Sequence, residues 1–561
     1  MDRRDFLKKA ASIGAVTATR GIGASFAGEN GSAKAGGDRW SRMAMTDLKP
    51  LMPIPEHIAA TGRHGMASSS HPVATEAALW ALERGGTAAD AYIAAALAQV
   101  VLEPTMTTLG GGWWIHYYDA SKNRLYEGTS AFATPAAAGD FLSDADTMTG
   151  RAVMVPGWVR GADLSHKKWG RLSWAELLEP AIDIAENGLI IDHLLWGWTF
   201  EKKGLVGRYP EGREIWFPNG HMLGVGDTLR QPQLAMTLKR LRDEGPDYFY
   251  TGQWAKNMVA GVRARGGRIT EDDLRNYQPG EFTDGWQPGS GKGISTTTFR
   301  GYEVGPPSLA MYGLGFNLVE AGDLRSRGRP VDNADSLYLL IRIMQEMWHT
   351  GLQYNAETHD KLISKEYAQQ LWPLIEKGPP RPFGGFDAGT CALAIVDSEG
   401  NMASGDHSIS SSIYGTGIFV DGVVLNRVLY NIKYDFPRGI ATSVWLFKDG
   451  KPVLTVASPS VAFTECVLQN VVNVVEYGLP LRESVMQPRF GHTDQQFGGT
   501  QIETSYSDEI LQKVEKRGMD LMRVSPWYVY MGSCHGAMLD HETGMISGVA
   551  DPRRRGMAKG I

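Results

Sequence analysis

Apolar residues recur at helical spacing over residues 73–83, and the Gly85-Gly86 pair closes that run. Thr87 and Asp90 have the spacing of a capping pair, which predicts a second helix over 88–102 with Glu103-Pro104 as its stop. Gly110-Gly111-Gly112 then leads into an aromatic, strand-like run over 113–118. Glycines at such a point mark a sharp turn or a close backbone approach. Amphipathic helices are predicted over 174–186, 234–243 and 336–348. After residue 390 the texture changes. Short β-rich runs at 393–396, 417–420, 444–447 and 453–456 are separated by turns such as Glu399-Gly400-Asn401 and Lys448-Asp449-Gly450, and a helical pattern returns over 464–477. Helical segments that flank and interrupt strand-rich ones predict layered α/β or α+β architecture, without internal repeats.

With 561 residues the chain can bury a large core, and its formal net charge of -6 with no long basic block speaks against a nucleic-acid partner. Cys391, Cys466 and Cys534 are too few and too scattered for a disulfide framework. The first residues read as an address. Arg3-Arg4-Asp5-Phe6-Leu7-Lys8 has the form of a twin-arginine export motif, an Ala/Gly-rich stretch follows, and Ser25-Phe26-Ala27 offers a small-residue cleavage site. Residues 1–27 are therefore expected to be an export signal, 28–55 a loose lead, and the mature protein periplasmic with no membrane span.

Motifs for metal chemistry are missing: there is no His-Glu-x-x-His, no Cys-x-x-Cys and no calcium loop, and no Gly-x-Ser-x-Gly nucleophile elbow appears either. Gly289-Ser290-Gly291-Lys292 lacks the flanking residues of a phosphate loop and reads as part of a surface loop over 284–298. No cofactor or metal is expected. The chemistry-bearing stretch is Gly389-Thr390-Cys391-Ala392-Leu393-Ala394-Ile395-Val396-Asp397, where a Gly/Pro-rich lead-in runs into an apolar strand that opens on a hydroxyl. A chain break before Thr390 would put a free α-amine beside that hydroxyl, joining nucleophile and base in one residue. On spacing alone, a threonine that merely starts a core strand is the better description.

Three groups of motifs, in one order along nearly the whole chain after the expected signal, resemble the γ-glutamyltransferase (glutathione hydrolase) family. They are Gly65-Met66-Ala67-Ser68-Ser69-Ser70-His71-Pro72 with Gly85-Gly86-Thr87-Ala88-Ala89-Asp90-Ala91; Val155-Pro156-Gly157 with Leu229-Arg230-Gln231-Pro232; and residues 390–397 with Tyr414-Gly415-Thr416-Gly417-Ile418, Ser458-Pro459 and Asp551-Pro552-Arg553. The resemblance implies an α+β fold, the four-layer αββα sandwich of N-terminal-nucleophile hydrolases. It implies a precursor that cuts itself between Gly389 and Thr390 into fragments 28–389 and 390–561, which stay together as a heterodimer acting on a small-molecule amide or peptide. Thr390 takes the nucleophile's position. Ser408 takes that of a second hydroxyl bonded to the nucleophile, with Ser410 as the alternative. Ser460 and Val461 stand where the family has a glycine pair whose amides form an oxyanion hole. Cys391 is expected in the core or a supporting shell, and Asp406 and His407 are near in sequence without a family role.

Departures fall on substrate recognition. The family's carboxylate-holding arginine has no counterpart between Arg124 and Arg151, the acid after the Leu-Asn run is absent from Arg427-Val428-Leu429-Tyr430-Asn431, and the paired serines become Gly439-Ile440. The expectation is a retained nucleophile with a more apolar acyl pocket drawn from Trp113, Trp114, Thr129 and Tyr430. The alternatives are a true γ-glutamyl enzyme with a rebuilt pocket, or an unprocessed periplasmic binding protein.

Overall fold

A computed structural model describes residues 39–45, 57–137, 144–280, 282–291, 295–384, 389–410, 412–428, 442–459, 462–494 and 498–561. The expected export signal, the lead-in at 385–388, Gly439-Ile440, Tyr430, Ser460 and Val461 lie outside these residues. The two opening helices form where the pattern predicts them, as Pro72–Glu83 and Ala88–Leu102. Thr87 and Asp90 make a reciprocal capping box, with the Asp90 carboxylate accepting from the Thr87 N–H at 2.9 Å and Thr87 Oγ1 accepting from the Asp90 N–H at 3.2 Å. The Ala88–Leu102 helix is buried all round, so alanine serves at every turn and lets neighbouring elements approach closely. The later predicted helices appear as Trp174–Asn187, Pro232–Glu244, Ala334–Gly351 and Phe463–Val475.

Two sheets stack face to face. The first, with 6 strands, runs in the order Met557–Gly560, Met66–Ser69, Cys391–Val396, Met402–Ser408, Gly112–Asp119, Arg124–Ser130, all antiparallel. The second, with 7 strands, runs Ala59–Gly62, Met545–Ala550, His535–Asp540, Lys451–Ala457, Ser443–Lys448, Tyr302–Gly305, Thr298–Phe299. Met66, Val396, Met402, Trp445 and Phe447 pack in the gap between the sheets. Helices Pro72–Glu83 and Ala88–Leu102 cover the outer face of the first sheet, and Ala310–Ala321, Ala334–Gly351 and Phe463–Val475 cover that of the second. This is the expected αββα arrangement. The predicted strand over 417–420 shrinks to Phe419–Val420, because Gly417 turns at φ +70 and a Cβ there would lie 2.6 Å from the Leu205 carbonyl oxygen.

Both sheets mix strands from before residue 389 with strands from after it. A break at that point would leave two fragments sharing each hydrogen-bonded sheet, unable to part without dismantling both cores. Among the described residues no helix is long and apolar enough to cross a membrane.

One buried carboxyl predicts a stability effect. Glu465, in the first turn of Phe463–Val475, is buried, and neither carboxyl oxygen has a hydrogen-bond partner among the described residues. Burial pushes its pKa up to about 8. A folded-state pKa above the unfolded one means that stability is fully present below the unfolded pKa and is lost as pH rises through the folded one. Glu465→Gln is therefore expected to raise the Tm at pH 9, by an amount equivalent to roughly 3 kcal/mol, and much less at pH 5. Equal Tm shifts at the two pH values in thermal unfolding would contradict this.

Candidate active site

Thr390 sits just before the Cys391–Val396 strand, near the middle of the 6-stranded sheet, and is only 7% exposed. The antiparallel register pairs His407 with Cys391, so the next pair along brings Ser408 opposite Thr390. Their hydroxyl oxygens are 2.9 Å apart. Ser408 Oγ also donates to the carbonyl oxygen of Gly389 and accepts from the Ser410 N–H at 2.7 Å. A carbonyl can only accept and a hydroxyl has one proton, so the proton between the two side chains belongs to Thr390. Ser408 thus faces the Thr390 hydroxyl as an acceptor and the Gly389 carbonyl as a donor. The serine meeting Thr390 is Ser408. Ser410, in the left-handed region at φ +54, supplies its backbone amide to it. On the far side of Ser408, Gly111 packs so near that a Cβ would lie 2.2 Å from the Ser408 carbonyl oxygen, which accounts for one glycine of the triplet.

Behind Thr390 lies a buried polar network. Glu103 Oε2 accepts from Ser70 Oγ at 2.8 Å and from Gln99 Nε2 at 2.9 Å, and Cys391 Sγ approaches it at 3.5 Å. Burial, reinforced by the nearby Glu103 carboxylate, pushes the Cys391 thiol well above its ordinary range, so it is a packed core group and not a thiolate nucleophile. His407 projects to this same side. Its Nδ1 accepts from Trp158 Nε1 at 3.2 Å, so the proton sits on Nε2 and points at Gln99 Oε1, 2.8 Å away. Burial depresses its pKa to about 3, which makes it a neutral structural histidine and no base for Thr390.

Arg554 is the group that sequence reasoning did not single out. It is 1% exposed, and its Nη1 donates to the Thr390 carbonyl oxygen at 2.7 Å. Its only sequence signal is its place immediately after the Asp551-Pro552-Arg553 motif.

The face of the sheet that carries Thr390 and Ser408 continues through Asp406, Trp114 and Thr129. Asp406 pairs with Trp114 and with Ala392, and Trp114 pairs with Thr129, so all point the same way. Thr129 is exposed at the rim. Trp114 leans over Gly112 and meets Phe132 with ring centroids 6.2 Å apart, and Phe132 packs with Met154 and Val428. Trp113 has the opposite parity. Its ring packs edge-on against Tyr92 and Trp158, and its Nε1 donates to Ser165 Oγ at 3.1 Å, so it belongs to the helix-side core and not to a pocket beside Thr390. Near the expected oxyanion loop, the Ser458 N–H donates to the Thr442 carbonyl at 2.8 Å and Ser458 Oγ accepts from the Ser533 N–H at 3.1 Å, which fixes the segment up to Pro459.

The gamma-glutamyltranspeptidase family model matches residues 74–561. The chain belongs to the gamma-glutamyltranspeptidase family. It is 31% identical to a glutathione hydrolase proenzyme of Bacillus subtilis (strain 168), over 89% of this chain and 92% of the relative. It is 27% identical to an acylase ACY 1 proenzyme of Pseudomonas sp. (strain SE83), over 83% of this chain and 88% of the relative. In fold it resembles the crystal structure of a cephalosporin acylase from Bacillus halodurans, with a TM-score of 0.77 at 23% identity, covering 92% of this chain and 99% of that one. At these identities it is a divergent gamma-glutamyltranspeptidase family member. Phe132, in the stretch between Arg124 and Arg151, is the residue that meets Trp114. Asn426, from the Leu-Asn run, is spent on the backbone: it donates to the Gly110 and Met154 carbonyls at 2.9 and 3.0 Å and accepts from the Met154 N–H at 3.0 Å.

Proposed function

We propose that this chain is a precursor that cuts itself between Gly389 and Thr390, and then acts as an amide hydrolase or acyltransferase through an ester on the Thr390 hydroxyl. The observation that carries the proposal is the position of Ser408, bonded at once to the Thr390 hydroxyl and to the Gly389 carbonyl. In the precursor, Thr390 Oγ1 attacks the Gly389 carbonyl carbon while Ser408 accepts its proton and donates its own to the carbonyl oxygen as negative charge develops there. The Gly389–Thr390 C–N bond breaks, its nitrogen leaves protonated, and water hydrolyses the resulting ester. What remains is Thr390 with a free α-amine, whose reference pKa is about 8, so that a useful fraction is neutral near pH 7. That amine takes the hydroxyl proton during attack on a substrate amide and returns it to the departing amine. Water or a second amine then releases the acyl group. The glutathione hydrolase and acylase proenzymes among its relatives support this reading, as does the interleaving of both fragments in each sheet.

Residues 460 and 461, which follow Pro459 in sequence, are the proposed oxyanion donors, since a change from glycine to Ser460 and Val461 removes neither backbone N–H group. Trp114, Phe132, Met154 and Val428 supply an acyl pocket more apolar than a glutamate side would need. The twin-arginine motif in residues 1–27 assigns the mature heterodimer to the periplasm. Turnover of an acyl p-nitroanilide, quenched in acid and weighed by mass spectrometry, tests the covalent step. The fragment that begins at Thr390 should gain the mass of the acyl group, and steady turnover with no adduct under pre-steady-state quenching would reject it.

Arg554 acts on the same amine. A buried guanidinium bonded to the Thr390 carbonyl disfavours a second positive charge on the adjoining α-nitrogen, which keeps it neutral and basic. Arg554→Gln is expected to move the acid limb of the kcat/KM profile up by about one pH unit, while Arg554→Lys leaves it near its original place. An unmoved limb in the Gln variant would remove Arg554 from this role.

A further inference from the structure

Asp406 is a charged group on the Thr390 face of the sheet that the proposed mechanism does not use. Asp406 lies two residues before Ser408 on the same strand, so their side chains share a face, and it pairs with Trp114 of the apolar wall. Its side chain is buried, with 7% of the residue exposed. One carboxyl oxygen accepts from Thr442 Oγ1; the other has no hydrogen-bond partner and no cation beside it among the described residues. Such a carboxyl is a liability for stability unless something else neutralises it.

We infer that Asp406 is the charged recognition group of the acyl pocket and selects an acyl chain that carries a protonated amine. This rests on the reading of Thr390 as nucleophile and specifies its substrate class. The cross-strand neighbour of Ser408 is Thr390, and Asp406 is one step further along that face, so an ammonium a few bonds from the scissile carbonyl falls within reach of the free oxygen. Trp114 and Phe132 supply the wall for the intervening methylenes, and an aromatic face also favours a cation over an anion. Burial pushes the empty carboxyl up to about 7, the behaviour of an acid that lacks its counter-ion, and a bound ammonium restores the ionised form. Thr442 orients the carboxyl and, through its carbonyl, holds the Ser458 N–H at 2.8 Å, so the recognition group is tied to the segment leading into the proposed oxyanion donors.

Four p-nitroanilides separate the charges. γ-Glutamyl carries ammonium and carboxylate, 4-aminobutyryl the ammonium alone, glutaryl the carboxylate alone, and butyryl neither. With mature enzyme cut before Thr390, kcat/KM for 4-aminobutyryl is expected to exceed that for butyryl and for glutaryl by about tenfold or more. Asp406→Asn keeps the acceptor for Thr442 and removes the charge. It should bring the ratio of 4-aminobutyryl to butyryl close to one, whatever it does to the common rate. A cut enzyme that ignores the ammonium, or an Asp406→Asn variant that keeps the preference, overturns the inference alone. Glutaryl as the best substrate overturns it in favour of a carboxylate-binding pocket. A chain that is not cut overturns the reading beneath it.

Discussion

Thr390→Ala is expected to leave a single uncut chain and to bring amide hydrolysis down to background. The substitution removes the oxygen that, in the proposed mechanism, attacks the Gly389 carbonyl and carries the acyl group afterwards. Removing the nucleophile of a covalent hydrolase typically lowers kcat by about 10⁴-fold or more. The variant should fold, since the alanine retains the Cβ, and the Arg554 contact uses the backbone carbonyl and is untouched. Thr390→Ser keeps the oxygen and loses only a methyl group, so it should still cut, more slowly. A Thr390→Ala chain that appears as two fragments with the same termini as the parent would mean that cleavage is done by another protein.

Ser408→Ala carries the second large effect. It removes both the acceptor for the Thr390 proton and the donor to the Gly389 oxygen, and with them an acceptor of the Ser410 N–H. Loss of a single donor to a developing oxyanion slows acyl transfer by about 10²–10³-fold, so self-cleavage should slow by at least that much. Leaving buried polar groups unpaired should also lower stability by about 1–3 kcal/mol. Ser408→Thr distinguishes the two consequences, because it restores the hydroxyl. It should recover most of the cleavage rate in a time course followed by gel electrophoresis. If Ser408→Ala cuts at the parent rate while its circular dichroism shows it folded, the proton relay described for Ser408 is wrong.

Local signals read well from the chain, and long-range ones did not. The Ala88–Leu102 helix could be placed at both ends, because its capping box spans three residues and its stop is the adjacent Glu103-Pro104. Ser408 was named only through the family resemblance, with Ser410 as the alternative, and the strand pairing is what brings Ser408 to Thr390. Trp113 and Trp114 were indistinguishable in sequence. A strand's alternation says that neighbours face opposite ways, not which of them shares a face with Thr390, and that parity is fixed only by pairing with Met402–Ser408. Arg554 and Thr390 are 164 residues apart, and Asp406 and Thr442 are 36 apart, so neither pair leaves a periodic or motif-level trace. The hydrogen bond between Trp158 and His407, 249 residues apart, is equally invisible in the sequence.

The central claim is that Thr390 becomes a chain terminus. Intact-mass measurement and N-terminal sequencing of the purified mature protein test it directly. The account predicts two fragments that co-purify, the smaller beginning Thr-Cys-Ala-Leu at residue 390. A single uncut chain, or a smaller fragment that begins at any other residue, would contradict it.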